Sequence, residues 1–364
     1  MARGRAAKQD RSVTSQHSLS ASSRAPASSP TAAGRVGITA AGAFLPEHTL
    51  SSDEMEHRVA SAHDLDIPPG TLEQRTGIRQ RRMAGDDEYA STLAIGAARQ
   101  AMAAAGLGAG DFDLLLFASA SRDVAEPATA HIVQAELGSR AHALDVTNAC
   151  NSFINGIDIA RALILAGRAG RALVVSGETP ARSIRWQPAS LGQLMRGFAG
   201  YTFGDAGAAV VVEPVTSGGI LDIDTETHSE HWAVGGVFGG GSRHPRDLEK
   251  TYFEGDGREL REVFEKVGVT ILDRVRDRTG MTVRDFAKVL VHQVTLPYIE
   301  RFVELTGVPA ASLEVTVTEL GNVASATLGV QLARVFAGLD TGDRVLLVGL
   351  GGGVSVMTMV WEKS

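Results

Sequence analysis

Short apolar runs alternate with amphipathic segments from Val36 to the C-terminus, the pattern expected of strands that alternate with helices. Most clearly, apolar residues recur at helical spacing from Ser152 to Leu165, which predicts a helix with one buried face. The predicted strands are 113–118, 141–146, 171–176, 206–213, 288–291, 314–318, 344–349 and 355–361. This alternation predicts an α/β protein with largely parallel sheets covered by helices on both faces.

Composition adds limits on location and binding partners. Residues 1–34 are rich in Ala, Ser and Arg, contain a single acid, Asp10, and show no periodicity, which predicts a disordered extension. No apolar run approaches the roughly 18 residues of a membrane span, so membrane insertion is not expected. The net charge of −7 argues against general nucleic-acid binding. A single cysteine excludes an internal disulfide framework and fits a cytoplasmic protein.

That cysteine, Cys150, lies between the predicted strand 141–146 and the predicted helix Ser152–Leu165. The unpaired N–H groups and the positive dipole end of a helix N-terminus favour the thiolate form, which is the reactive one. Cys150 is therefore the best candidate nucleophile. If it attacked an acyl group, the resulting oxyanion would need two N–H donors, and the glycine turn 351–353 could supply one beside the N–H of Cys150.

Two further polar residues end predicted strands. His292 follows the strand 288–291 and precedes a predicted helix at 296–305, whereas Asn322 follows 314–318 and precedes 325–337. Ligands collect at the carboxyl ends of strands in open α/β sheets. Taken alone, His292 could be a hydrogen-bonded core histidine and Asn322 a helix cap. Together with Cys150 they predict a Cys-His-Asn site for acyl transfer.

Six segments, in the same order along the chain, resemble the 3-oxoacyl-(acyl carrier protein) synthase III branch of the thiolase superfamily. They are Glu73-Gln-Arg-Thr-Gly-Ile-Arg79, Asn148-Ala-Cys150, Phe203-Gly-Asp-Ala-Gly-Ala-Ala209, His292-Gln, Gly321-Asn322-Val-Ala-Ser-Ala and Gly349-Leu-Gly-Gly-Gly353. The resemblance implies a five-layered αβαβα sandwich. Its two similar halves would be residues 35–217, with the nucleophile, and 218–364, with the histidine and the asparagine.

The same resemblance assigns roles to two more residues, and at a third position this chain lacks a residue that the family uses. Gly352 would give the second N–H of the oxyanion hole, and Arg75 could meet the phosphates of coenzyme A. Thr71 stands where many family members have a tryptophan that stacks on the adenine of coenzyme A. The mode of coenzyme A binding is therefore open, and acyl-carrier-protein thioesters remain possible donors.

Glu126 is the candidate that separates two reaction types. It precedes Pro127, which favours an extended backbone, and it stands where the fatty-acid-initiating synthases have an apolar residue that crosses the dimer interface. A glutamate there resembles the OleA-type thiolases, which join two fatty acyl-CoA molecules head to head without decarboxylation. Removal of a proton α to a thioester needs a base, and Glu126 from the neighbouring subunit could provide it. The alternative is a solvated loop acid or an interface ion pair.

We therefore expect a homodimeric condensing enzyme in which Cys150 accepts the acyl group while His292 and Asn322 stabilise the enolate. Its substrates would be acyl-CoA or acyl-carrier-protein thioesters, and no metal or other cofactor is expected, because His228 and His231 lack a metal-binding spacing. One alternative is a decarboxylative 3-oxoacyl synthase III or a related acyltransferase of secondary metabolism. Another is a non-catalytic partner subunit of a heterodimeric synthase, which the presence of all three site residues disfavours.

Overall fold

The computed structural model describes residues 34–63 and 65–364, so the predicted extension 1–34 lies outside the described residues except for Gly34. The strands are β1 Val36–Phe44, β2 Thr49–Ser51, β3 Gln80–Arg82, β4 Leu114–Ala118, β5 His142–Val146, β6 Ala172–Glu178, β7 Ala206–Pro214, β8 Gly219–Thr227, β9 Gly235–Gly236, β10 Glu254–Gly255, β11 Lys288–Val291, β12 Arg344–Gly351 and β13 Ser355–Glu362. The helices are α1 Ser52–Ser61, α2 Thr71–Thr76, α3 Ala90–Ala105, α4 Thr129–Leu137, α5 Ser152–Leu165, α6 Leu191–Arg196, α7 Gly257–Thr279, α8 Leu296–Thr306, α9 Val317–Leu320 and α10 Ala326–Val335. Short 3₁₀ turns connect several of them.

Two sheets form the framework. The first has the strand order β1-β7-β6-β4-β5 and the second β11-β12-β13-β8. Only the pairs β4–β5, β4–β6 and β11–β12 are parallel, whereas the other pairs in these two sheets are antiparallel. The prediction of largely parallel sheets is therefore wrong. One cause is the short turn at 352–354 between β12 and β13, because a connection of that length can join only antiparallel neighbours.

Both sheets pack on one central layer of helices. A single apolar cluster contains Leu116 and Val210 of the first sheet, Phe153 of α5, Leu332 of α10 and Leu347 of the second sheet. Successive strand residues point to opposite faces, so Leu115 and Leu346 belong to two other clusters, one with α3 and α4 and the other with α7 and α8. The order of layers is helices, sheet, helices, sheet, helices, which confirms the predicted αβαβα sandwich.

Helix α3 lies unusually close to the first sheet. A Cβ added to Gly177 would lie 1.7 Å from the carbonyl oxygen of Ala90, and one added to Gly207 would lie 2.0 Å from that of Leu93. The facing residues of α3 are mostly alanines buried to 2% exposure or less. Small residues on both sides thus let the helix backbone rest directly on β6 and β7.

The sequence predicted most element positions near the site but misassigned one. Helix α5 and strand β11 have the predicted bounds. The predicted strand 314–318 is wrong, because residues 314–316 pair with no sheet and Val317 begins the short helix α9. The buried side chain of Gln293 accepts hydrogen bonds from the N–H groups of Thr316 and Val317 at the start of that helix. Tertiary contact therefore outweighs the β-branched composition of this segment.

The second sheet begins close to the predicted division of the chain. Strand β7, in the first sheet, ends at Pro214, and β8, in the second sheet, begins at Gly219. Among residues 34–63 and 65–364, no helix has the length and apolarity needed to cross a membrane.

Candidate active site

Cys150 sits at the apex of a strained turn between β5 and α5. Ala149 has φ of 46°, in the left-handed region that non-glycine residues rarely adopt. The turn is held by the Ser152 hydroxyl, which accepts from the N–H of Asn148 at 2.8 Å and donates to the carbonyl oxygen of Ala149 at 2.7 Å. Because these bonds stabilise the strained conformation, Cys150 is presented half-buried, just ahead of α5.

The second sheet closes over this turn. The side-chain amide of Asn151 donates to both the carbonyl oxygen and the hydroxyl of Ser355, each at 2.9 Å, at the start of β13. A Cβ at Gly349 would lie 2.3 Å from Oδ1 of Asn151, so glycine is required for this close approach. The backbone N–H groups of Gly352 and of Cys150 itself act on the Cys150 sulfur and lower the pKa of the thiol. Their role as the two donors of an oxyanion hole stays a prediction.

The protonation state of Cys150 differs from the sequence expectation. Burial raises the pKa of the thiol from 9.0 to about 12, and the negative charge of Glu178 adds to the effect. The hydrogen bonds from Gly352 and from the N–H of Cys150 lower the pKa but do not offset the loss of solvent. The expectation that the helix terminus favours thiolate is therefore wrong for this resting structure, in which Cys150 is a neutral thiol.

His292 follows β11 and is fixed through its backbone, since its N–H donates to the carbonyl oxygen of Val348 in β12 at 2.9 Å. The side chain is 2% exposed, and burial lowers its pKa from 6.5 to about 4, so the imidazole is neutral at pH 7. Nδ1 is buried without a hydrogen-bond partner among the described residues. An N–H at Nδ1 would therefore be unsatisfied, which favours the tautomer that carries its proton on Nε2.

Gln293 links the histidine loop to the asparagine loop. Its Nε2 donates to the carbonyl oxygen of Glu314 at 2.7 Å, while Oε1 accepts from the N–H groups of Thr316 and Val317 at 2.9 and 3.0 Å. All three partners lie in the segment that leads through α9 to Asn322. The sequence analysis gave Gln293 no role, although the His-Gln pair that carried the family resemblance was a signal for one.

Asn322 is held so that its amide N–H₂ group is available. The backbone N–H donates to the carbonyl oxygen of Thr202 at 2.7 Å, and Oδ1 accepts from the N–H of Ala324 at 3.0 Å. Gly321, with φ of 69°, allows this approach, because a Cβ there would lie 2.6 Å from the carbonyl oxygen of Thr202. Nδ2 makes no hydrogen bond within the part of the chain that the structure describes. Asn322 thus presents a free donor rather than acting as a simple helix cap.

Comparison with known proteins identifies the family. The sequence model of 3-oxoacyl-[acyl-carrier-protein] synthase III matches residues 144–229, and that of its C-terminal part matches residues 277–363. Beta-ketoacyl-[acyl-carrier-protein] synthase III from Symbiobacterium thermophilum is 31% identical over 347 residues, which cover 90% of this chain and 98% of the relative. The chain belongs to the 3-oxoacyl-[acyl-carrier-protein] synthase III family. The corresponding Methylococcus capsulatus protein is 33% identical over 327 residues, 87% of this chain and 95% of the relative.

Solved structures of OleA are also similar to this synthase III family member. Xanthomonas campestris OleA with bound lauric acid and lauroyl-CoA is 28% identical, with a TM-score of 0.82, over 91% of this chain and 99% of OleA. A cerulenin-bound OleA structure has the same identity and TM-score and covers 90% of this chain and 97% of OleA. The protein is therefore a thiolase-fold acyltransferase of the condensing type that acts on acyl thioesters.

The sequence analysis of this synthase III family member missed Glu178, a fully buried carboxyl at the end of β6. It accepts hydrogen bonds from Ala120, Ser121 and Ser325, and burial raises its pKa in spite of them. Its charge acts on Cys150. The sequence signal was a glutamate two residues after the predicted strand 171–176.

Glu126 and Arg75 lie at the surface of this synthase III family member. Both side chains are exposed, and neither forms a hydrogen bond or ion pair with the described residues. The structure of one chain therefore does not connect them to Cys150, and their predicted roles remain predictions.

His228 pairs with two carboxylates, Glu226 at 2.8 Å and Glu230 at 3.5 Å. Residues 34–63 and 65–364 contain no cluster of three or more His, Cys, Asp or Glu side chains suited to a metal ion.

Proposed function

We propose that this enzyme joins two fatty acyl thioesters head to head by a non-decarboxylative Claisen condensation that yields a β-keto acid. The observation that carries the proposal is the exposed, unpaired carboxylate of Glu126 on the loop between β4 and α4. A reaction without loss of carbon dioxide needs such a base. The similarity to OleA, solved with lauric acid and lauroyl-CoA, supports fatty acyl thioesters as substrates.

In the first half-reaction, the sulfur of Cys150 attacks the carbonyl carbon of one acyl-CoA. The N–H groups of Cys150 and Gly352 stabilise the oxyanion, the C–S bond to coenzyme A breaks, and the thiol proton ends on the sulfur of coenzyme A. Because Cys150 rests as a neutral thiol, this step transfers a proton without building a standing charge in the buried site.

In the second half-reaction, the Glu126 carboxylate of the partner subunit removes a proton from the α carbon of a second acyl-CoA. The N–H of neutral His292 and the free amide of Asn322 stabilise the enolate oxygen. The α carbon then attacks the Cys150 thioester, and the departing cysteine sulfur takes back a proton equivalent to the one held by Glu126. Hydrolysis of the remaining thioester releases coenzyme A and the β-keto acid.

The loop that carries Glu126 is anchored at both sides of it. Asp123 accepts a hydrogen bond from the N–H of Ser91 at 3.0 Å, and Asp145 accepts from the N–H groups of Thr129 and Ala130 at 2.9 and 2.8 Å. Glu126 thus projects from a segment with fixed ends. That arrangement suits a side chain that acts on a neighbouring subunit of a homodimer.

Arg75 supports coenzyme A as the acyl carrier. It lies in the last turn of α2 and is free of ion pairs among the described residues, whereas nearby Arg79 pairs with Glu319 at 3.6 Å. A free guanidinium matches a phosphate well.

The second candidate function is decarboxylative condensation with a malonyl thioester. It is favoured by the relatives named beta-ketoacyl-[acyl-carrier-protein] synthase III and needs no base at Glu126.

Mass spectrometry distinguishes head-to-head from decarboxylative condensation. It identifies the products formed from acyl-CoA mixtures with and without malonyl-CoA. We expect Glu126→Gln to lower condensation of plain acyl-CoA by about 100-fold or more, while acylation of Cys150 continues. Glu136→Gln is the matched control, because Glu136 is exposed and unpaired on the adjacent helix α4. Mixed dimers of Cys150→Ala and Glu126→Gln subunits should recover one active site. Full activity of the Glu126→Gln homodimer, or a strict need for malonyl-CoA, would refute the head-to-head proposal.

A further inference from the structure

The fully buried Glu178 carboxylate is surrounded by hydrogen-bond donors. Oε1 accepts from the N–H of Ala120 at 2.7 Å and from the hydroxyl of Ser325, and Oε2 accepts from the N–H and the hydroxyl of Ser121 at 3.0 and 2.7 Å. No lysine or arginine of the described residues forms an ion pair with it. A buried charge without a cation is costly, and four donors reduce that cost, although burial still raises the pKa of Glu178.

The network continues away from Glu178 through hydroxyl groups. Ser325 contacts Ser176 at 2.9 Å, Ser176 contacts Ser119 at 3.1 Å, and the N–H of Gly177 donates to Ser119 at 2.9 Å. One direction of donation satisfies the whole chain: Gly177 to Ser119, Ser119 to Ser176, Ser176 to Ser325, and Ser325 to Glu178. The carboxylate is therefore the final acceptor of an ordered, buried network.

This network joins two loops that carry the proposed condensation residues. Ser121 belongs to the loop between β4 and α4, which contains Glu126, and Ser325 lies immediately before α10, close after Asn322. Ser121 also accepts from the N–H of Thr179 at 3.0 Å, which fixes the loop to the strand end. Glu178 is thus the shared attachment point of both loops at the end of β6, within electrostatic reach of Cys150.

We propose that Glu178 is a positioning residue of the condensation, whose carboxylate holds the Glu126 loop and the Asn322 loop in place relative to Cys150. The role given to the Glu126 loop rests on the proposed function above, whereas the contact with the Asn322 loop serves either condensation route. Electrostatic effects connect neighbouring charged groups: Glu178 raises the pKa values of both Cys150 and Asp205, whereas Arg182 lowers the pKa of Asp205.

Two variants separate the attachment from the charge. Glu178→Asp keeps a carboxylate but shortens it by one methylene, so it cannot hold both loops. We expect condensation kcat to fall at least about 10-fold with little change in KM or in acylation of Cys150. Glu178→Gln removes the charge that raises the pKa of Cys150, so the pH profile of Cys150 alkylation by iodoacetamide should shift to lower pH.

Glu213→Gln is the control for charge removal, because Glu213 is a partly buried carboxylate at the end of neighbouring β7 that pairs with Arg171 and Thr39 away from the site. It should leave the alkylation profile and condensation unchanged. If the Glu178 variants do not fold, Ser121→Ala and Ser325→Ala each remove one donor and keep the acid. Both should then lower condensation more than acylation.

An unshifted alkylation profile in Glu178→Gln together with normal condensation in Glu178→Asp, or normal condensation in both serine variants, would overturn the proposal. Alkylation needs no acyl substrate, and condensation is measured with whichever donor the wild type uses. A wild-type requirement for malonyl-CoA would therefore refute the head-to-head proposal while the role of Glu178 is still tested.

Discussion

The conversion of Asp205 to asparagine should change how the stability of this protein depends on pH. Asp205 precedes β7, is 1% exposed, and accepts hydrogen bonds from the N–H groups of Ala84 and Ala181 at 2.8 and 3.1 Å. These bonds lower its pKa, but burial outweighs them and raises the pKa from 3.8 to about 7. Between those values the folded protein binds the proton that the unfolded chain has released, so stability falls as pH rises through this window.

The size of this effect follows from the shift. About three pKa units at about 1.4 kcal/mol each amount to about 4 kcal/mol of unfolding free energy lost from Asp205 between about pH 4 and about pH 7. His292 acts in the opposite direction, because its lowered pKa makes the unfolded chain bind more protons between about 4 and 6.5. The wild-type curve alone therefore does not isolate Asp205, but its difference from the Asp205→Asn curve does.

Urea unfolding at fixed protein concentration over this pH range measures that difference. Asparagine can accept only one of the two N–H groups well, which costs about 1–3 kcal/mol at every pH. Relative to the wild type, Asp205→Asn should gain about 4 kcal/mol as pH rises from about 4 to about 7. Asp224→Asn is the level control, because the bond from Arg274 lowers the pKa of Asp224 from 3.8, so its linked change in stability lies below about pH 4 and its difference from the wild type should stay nearly constant from about pH 4 to about pH 7. Parallel curves for the wild type and Asp205→Asn would refute the reasoning.

Two further predictions concern the site and the fold. His292→Ala and Asn322→Ala should each lower condensation by about 100- to 1000-fold while the acyl adduct on Cys150 still forms, as intact-mass analysis with Cys150→Ala as the blank would detect. Normal condensation in both variants, or loss of the acyl adduct, would contradict the assigned roles. Gly177→Ala should lower the free energy of unfolding by about 3 kcal/mol or more, because its Cβ would meet Ala90 at 1.7 Å. In the same denaturant titration Gly110→Ala, with no atom within 4 Å of its added Cβ, should change stability by less than about 0.5 kcal/mol, and equal effects of the two would contradict the close packing of α3.

The alternation of strands and helices is a local signal, so the sequence by itself predicted the α/β class, whereas the five-layered sandwich was predicted from the family resemblance. Helix α5 has the expected bounds, since its apolar spacing and its packing agree. His292 does follow a strand, as expected. Asn322 was selected for its place after a strand, yet it follows helix α9, so its identification depended on the family motif and not on the secondary structure.

Tertiary structure alone decided strand direction, the neighbours of each site residue and the charge of Cys150. A helix N-terminus favours thiolate in any sequence, but the surrounding sheets remove solvent from this thiol and bring Glu178 into reach, so its pKa rises. The Gln293 contact that begins α9 and the Ser325–Glu178 contact likewise join residues far apart in the chain. Periodicity and propensity describe a residue's nearest neighbours along the chain, whereas desolvation and hydrogen-bond partners depend on which distant segments the fold brings against it.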